Sequence, residues 1–197
     1  MKPEPLSFPT LLASIGLLSF ASGFPFGVVQ EFLPLYLREH HLSLETIGAL
    51  SLLSLPWSLK VFWAPLVDRW GTLRLWMMGG LAIAILGIIL LPIFPVSSPL
   101  LLGCIALIAL GSATQDIAID GTIATAVPPE IIGRANGFRV AAYRGAMALV
   151  GGGAVLVGAT LGWPTAFWGM AILLLLLLLG EGFCPLQGNL PRQTSLK

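Results

Sequence analysis

Six long apolar stretches, joined by short polar or proline-rich links, constrain this chain more than any other feature of it. The sixth contains seven consecutive leucines, residues 173–179. An apolar run of about 20 residues, at 1.5 Å per residue in a helix, matches the ~30 Å hydrocarbon core of a bilayer. Charged residues make up 10% of the chain, against roughly a quarter in a soluble domain. The chain therefore reads as an all-α, multi-pass membrane protein. Its net charge is +1 and it has no run of like charge, which points to no nucleic-acid partner.

The predicted spans are residues 11–36, 46–63, 73–94, 100–126, 131–161 and 163–180. The first is interrupted by Gly23, Pro25 and Gly27 and carries Glu31 in its second half. It extends well past the length of a signal-peptide apolar core, so it is read as a retained span. Residues 1–10 form an N-terminal lead, 11–180 the six-helix domain, and 181–197 a loose polar tail. With the N-terminus inside, the cytoplasmic side holds Lys2, Arg69, Arg74, Arg134, Arg192 and Lys197, and the outer side only Arg38. The expected orientation puts both termini in the cytoplasm. Small residues recur in the first helix of each triplet, at 20–23 and 110–113, as expected of two three-helix repeats. Cys104 and Cys184 read as small apolar side chains, with no disulfide framework and no metal site.

The chemistry concentrates in Gln115-Asp116-Ile117-Ala118-Ile119-Asp120. On a helix the two carboxylates share a face about 6 Å apart along the axis. An acid at the centre of a span costs about 2.5–3.5 kcal/mol on insertion scales, so it marks function or pairing. The fifth stretch supplies Arg139, Tyr143 and Arg144. Arg139 and Tyr143 share a face, and Arg144 points about 140° away from Arg139. Arg144 lies too far from the helix start to snorkel and needs an anion, a carboxylate or a wet cavity.

Three readings compete. The charges could be ion pairs that tie the fourth stretch to the fifth and to the Asp68-Arg69 link. Asp116 or Glu31 could take up a proton as solute binds. Arg144 and Arg139 could meet an anionic solute, since the guanidinium fork matches carboxylate and phosphate geometry. The last two together describe a proton-coupled anion carrier. Gln115 and Tyr143 stand beside these groups and join the candidate binding set. Asp120, nearer the helix end, is expected to meet Arg69, Arg74 or Arg134. Lys60 is expected to snorkel to the cytoplasmic face, and His40 and His41 to be solvated. Ala154, Gly158 and Gly162 form a small-residue stripe suited to helix packing. No catalytic set is evident: Asp120-Gly121-Thr122-Ile123-Ala124-Thr125 resembles the start of a phospholipid-headgroup transferase motif, but Thr125 stands where that motif needs arginine and no aspartate follows Asp120.

Several stretches occur in a familiar order. The link Ala64-Pro65-Leu66-Val67-Asp68-Arg69 resembles the loop between helices two and three of the major facilitator superfamily. Pro129-Glu130 through Gly133-Arg134-Ala135-Asn136-Gly137 resembles its loop between helices four and five. Phe20-Ala21-Ser22-Gly23-Phe24-Pro25, the run Lys60 to Arg69, Gln115 to Asp120, and Tyr143-Arg144-Gly145 resemble a narrower branch, the AmpG-type muropeptide permeases and the related acetyl-CoA transporters. Certain siderophore importers are similar too.

The resemblance covers about residues 10–180 and implies a helical carrier in the inner membrane, needing no cofactor. It implies a conformational latch built from Asp68, Arg69, Arg74, Asp120 and Arg134. It also implies an anhydromuropeptide-type cell-wall fragment as best substrate, for which the residues themselves offer a proton and anion site near Asp116. Only Arg74 follows the Asp-Arg pair closely, where family members carry several basic residues. Members have two six-helix halves, and this chain resembles the N-terminal one. The expectation is a partner half, from a separate chain or a second copy. The alternatives are a remnant or scaffold that moves no solute, or a carrier of another anion such as acetyl-CoA or a siderophore.

Overall fold

The structure is a computed structural model that describes residues 7–186. The expectations for residues 1–6 and 187–197, including the placement of Lys2, Arg192 and Lys197, lie outside the described residues. Within 7–186 every regular element is helical.

Five helices are long and apolar enough to cross a membrane: α1 (Phe8–Glu39), α3 (Leu73–Ile93), α4 (Pro99–Ala126), α5 (Pro129–Leu161) and α6 (Trp163–Gly182). They coincide with five of the six expected spans. The second expected span, labelled α2 here, covers 44–69 and is not one continuous helix. It is assembled from Leu44–Leu50, Ser51–Ser54, Leu55–Leu59, Lys60–Phe62 and Ala64–Arg69, alternating α and 3-10 turns. Pro56 and Pro65 sit at the starts of two of these pieces. Proline has no N–H to continue the ladder and its ring clashes with the preceding turn, so the helix restarts at each.

The expected interruption of α1 takes a different form. Pro25 is accommodated within Phe8–Gly27, and the ladder widens into a π-turn at Val28–Phe32 before it resumes. α5 widens the same way at Leu149–Ala154, across Gly151-Gly152-Gly153. The two widened turns face each other: a Cβ on Gly151 would lie 3.1 Å from the Cβ of Glu31. Below them α1 and α5 nearly touch at Gly23, where a Cβ would come 2.5 Å from the carbonyl oxygen of Tyr143. Of the small-residue stripe, Gly158 lies beneath the Trp163 ring, and Gly162, at φ +94°, makes the tight turn into α6.

Two apolar clusters fill the bundle. One joins Phe24, Phe32, Tyr36, Leu81, Ile88, Ile105, Ile108, Trp163 and Phe167. The other joins Ile15, Leu18, Met77, Ala118, Ile119, Ile123 and Ala135 at the end that carries the α2–α3 and α4–α5 links. Buried polar groups collect between them: Ser19 and Ser22 on α1, Ser112, Gln115 and Asp116 on α4, and Glu181 on α6. Glu181 stands where the tail was expected to begin. It is 0% exposed and helical, and Cys184 and Leu186 beyond it are buried as well. The chain therefore stays packed on the bundle for at least one turn past the end of the sixth stretch.

Candidate functional site

α4 contributes Asp116 and Asp120 one turn apart, and three neighbouring elements supply their partners. From α1, the Ser22 hydroxyl donates to Asp116 Oδ1. From α2, Lys60 Nζ lies 3.4 Å from Asp116 Oδ2 and 3.0 Å from Asp120 Oδ2. From α5, Arg139 donates through Nη2 to Asp120 Oδ1. The expectation that Lys60 snorkels away is corrected: the ammonium bridges both carboxylates. Asp120 was expected to reach Arg69, Arg74 or Arg134, and here it is held by Lys60 and Arg139. The reason is register. The chain runs nine residues from Lys60 to the end of α2 and six to ten from the carboxylates to the end of α4, so the cation and the acids lie at matching depth.

The four charged groups differ in access. Side-chain exposure is 12% for Asp116, 38% for Asp120, 29% for Lys60 and 30% for Arg139. Asp116 forms the closed end of the cluster and Asp120 the open one. Tyr143, one turn from Arg139, lies in the field of Asp116, Arg144, Arg139 and Asp120. Arg144 is exposed, and its Nη1 lies 3.9 Å from Met147 Sδ. Among the described residues no carboxylate pairs with it.

The remaining expected residues separate from this cluster. Gln115 faces the other way, and its Nε2 donates to Glu181 Oε1 at 2.7 Å. Gln115 Oε1 and Glu181 Oε2 are buried without partners. Glu31 is exposed, on the π-turn of α1, about 13 Å along the axis from Ser22 at 1.5 Å per residue. Asp68, Arg69 and Arg134 are exposed and form no ion pair among the described residues. Arg74 Nη2 donates to the carbonyl of Gly182 at 2.5 Å and fixes the end of α6. Sequence reasoning missed Ser22, Lys60 and Glu181 as partners. The depth match with α4 was the available signal for Lys60; Glu181 carried none, because it follows the apolar run.

The described residues hold no cluster of three or more His, Cys, Asp or Glu able to bind a metal ion. What the arrangement can do is bind charge. Two cations, Lys60 and Arg139, stand with two carboxylates, and Arg144, next to Tyr143 in the chain, is unpaired with either acid. A proton on Asp116 would leave the cations in larger excess.

Comparison with known proteins follows the same lines. The family model described as Major Facilitator Superfamily matches residues 15–186. A Haemophilus influenzae protein described as uncharacterized is 39% identical over 166 residues, covering 79% of this chain and 38% of its own length. The anhydromuropeptide permease of Escherichia coli is 30% identical over 167 residues, covering 81% of this chain and 34% of its own length. A putative transporter AmpG 1 of Rickettsia bellii is 29% identical over 193 residues, 90% of this chain and 47% of that protein. The chain thus spans 34–47% of the length of these curated relatives.

Proposed function

The chain belongs to the Major Facilitator Superfamily, and on that premise we propose that it forms one six-helix half of a proton-coupled carrier for a small anionic solute in the inner membrane. Both termini lie in the cytoplasm in this reading. An anhydromuropeptide-type cell-wall fragment is the preferred solute, supported by the similarity to the permease of that description. The observation that carries the reading is Arg144: an arginine on a membrane-spanning helix that no carboxylate of the described residues pairs with. An unpaired guanidinium at that depth calls for an anion, and its fork suits a carboxylate. Asp116 supplies the coupling. When it is ionised, Lys60 is shared between two acids; when it takes a proton, the freed positive charge favours the anion.

In this reading Arg139 and Tyr143 line the solute path beside Arg144. Gln115 and Glu31 were candidates for the same set; their positions favour supporting roles, Gln115 toward α6 and Glu31 toward α5. Asp68, Arg69, Arg74 and Arg134 form the latch on the α2–α3 and α4–α5 side, with Asp120 shared between latch and site. The second half would cover α5, whose most apolar window is only 17% buried here against 67% for α1. That half is a separate segment or a second copy.

The same exposed face also favours a second reading, a partner subunit that moves no solute by itself. A proteoliposome uptake screen decides between them. Anhydromuropeptide, acetyl-CoA and a siderophore are offered with and without a proton gradient. Gradient-dependent uptake of anhydromuropeptide supports the first reading. Uptake of another of the three keeps the carrier and replaces the solute. No uptake of any, alone or with a co-expressed second half, leaves the scaffold.

A further inference from the structure

A second layer of side chains lies directly against the charges. Phe26, Trp57 and Tyr143 come from α1, α2 and α5. Phe26 and Trp57 meet edge to face, with ring centroids 4.9 Å apart and planes at 90°. Phe26 and Tyr143 are 5.8 Å apart at 48°. Each ring stands one helical turn from the residue of its own element that holds the carboxylates: Phe26 from Ser22, Trp57 from Lys60, Tyr143 from Arg139. α1 and α5 run in one direction and α2 in the other, so all three steps lead to the same side. Tyr143 is level with Gly23, next to Ser22, so its ring flanks the charges, and Phe26 and Trp57 stand about 5 Å beyond them, the rise of one turn.

This layer differs from the aromatic core of the bundle. Phe32, Tyr36, Trp163 and Phe167 also meet edge to face, but they are 0–8% exposed. Phe26, Trp57 and Tyr143 are each only half-buried. Half-buried rings beside a charged cluster are what a ring-bearing ligand would complete. We propose that Phe26, Trp57 and Tyr143 form a ring-binding layer, which takes the ring of the solute while the adjacent cations take its anionic group. The preferred solute is then a ring with an acid held about one helical turn, 5 Å, away. This rests on the reading of the charged cluster as an anion site, and it adds Phe26 and Trp57 as specificity-determining residues.

Isothermal titration of the purified chain with three carboxylates tests it: lactate without a ring, glucuronate with a saturated ring, benzoate with a flat one. The wild type should bind at least one ring-bearing acid about threefold to tenfold more tightly than lactate. Phe26→Leu and Trp57→Leu should erase that margin and leave lactate unchanged, and Trp57→Phe should keep it. Loss with glucuronate alone assigns the layer to sugar rings; loss with benzoate alone assigns it to flat ones. A wild type with no margin, or a margin that survives both leucine variants, overturns the layer. Arg144→Ala separates the two readings: if it leaves lactate binding intact, the anion site fails whatever the rings do.

Discussion

Lys60 Nζ sits 3.0 Å from Asp120 Oδ2 and 3.4 Å from Asp116 Oδ2, so one ammonium on a broken helix ties together two acids on an unbroken one. Asp120 has a second cation in Arg139, whereas Asp116 is held, among the described residues, by Lys60 and the Ser22 hydroxyl. Removing the lysine therefore strands Asp116 more than Asp120.

Lys60→Ala should destabilise the protein, and Asp116→Asn should relieve part of the loss. Coupled neighbours typically show interaction energies of about 0.5–3 kcal/mol, and the 29% exposure of Lys60 places this pair toward the lower half. A double-mutant cycle on Lys60→Ala and Asp116→Asn, read by unfolding in mixed micelles, measures it. Strict additivity would show that the bridge carries no coupling.

The Gln115–Glu181 pair makes a different demand. Glu181→Gln keeps an acceptor for the Gln115 amide and should stay within ~0.5 kcal/mol of wild type, the range of undisruptive changes. Glu181→Ala leaves a buried amide unpaired and should cost about 1–3 kcal/mol. Thermal unfolding of the two variants checks the contrast; equal stability would mean that the end of α6 is not held by this bond.

Gly23 limits the approach of α1 to α5. A Cβ there would lie 2.5 Å from the Tyr143 carbonyl oxygen, a backbone atom that cannot swing aside. Gly23→Ala should cost about 1–3 kcal/mol, the range of core overpacking. It should also part Ser22 from Asp116, since both helices must shift. Cysteine cross-linking between α1 and α5 near this level reports the separation, and an unchanged cross-linking yield would contradict it.

Arg144 and Arg139 should respond differently to an anion. Arg144→Ala removes an unpaired cation and should weaken binding of an anionic solute about tenfold or more, since hydrogen bonds to charged groups contribute ~1.5–3 kcal/mol. It should leave stability within ~0.5 kcal/mol. Arg139→Ala removes one of the two cations that hold Asp120 and should lower stability as well as binding. Solute titration and thermal unfolding run side by side distinguish the two, and identical profiles for both variants would contradict the assignment.

Much of this was legible in the sequence, and the exceptions have physical causes. Run length and the scarcity of charge located the helices, because hydrocarbon thickness fixes span length. The two aspartates announced themselves as costly residues in apolar surroundings. Their partners did not, because pairing depends on depth and on which helices are neighbours, and neither is a local property. Lys60 looked like a snorkelling lysine because its own stretch offered no acid. Glu181 looked like the start of a tail because it follows seven leucines and an isolated glycine. Only the packing of α6 onto the bundle, chiefly against α3, buries it. The break in α2 was signalled by Pro56, while α1 passes through Pro25 without a break and widens into a π-turn only after it, which no residue type announces.

The central claim is that Asp116 couples a proton to an anion held near Arg144. Its most direct test is uptake of an anhydromuropeptide into proteoliposomes, driven by an imposed proton gradient and compared between wild type and Asp116→Asn. A second six-helix half is supplied where the chain alone is silent. The account predicts that Asp116→Asn binds the solute yet loses gradient-driven accumulation and its dependence on pH. Full accumulation with unchanged pH dependence would contradict it.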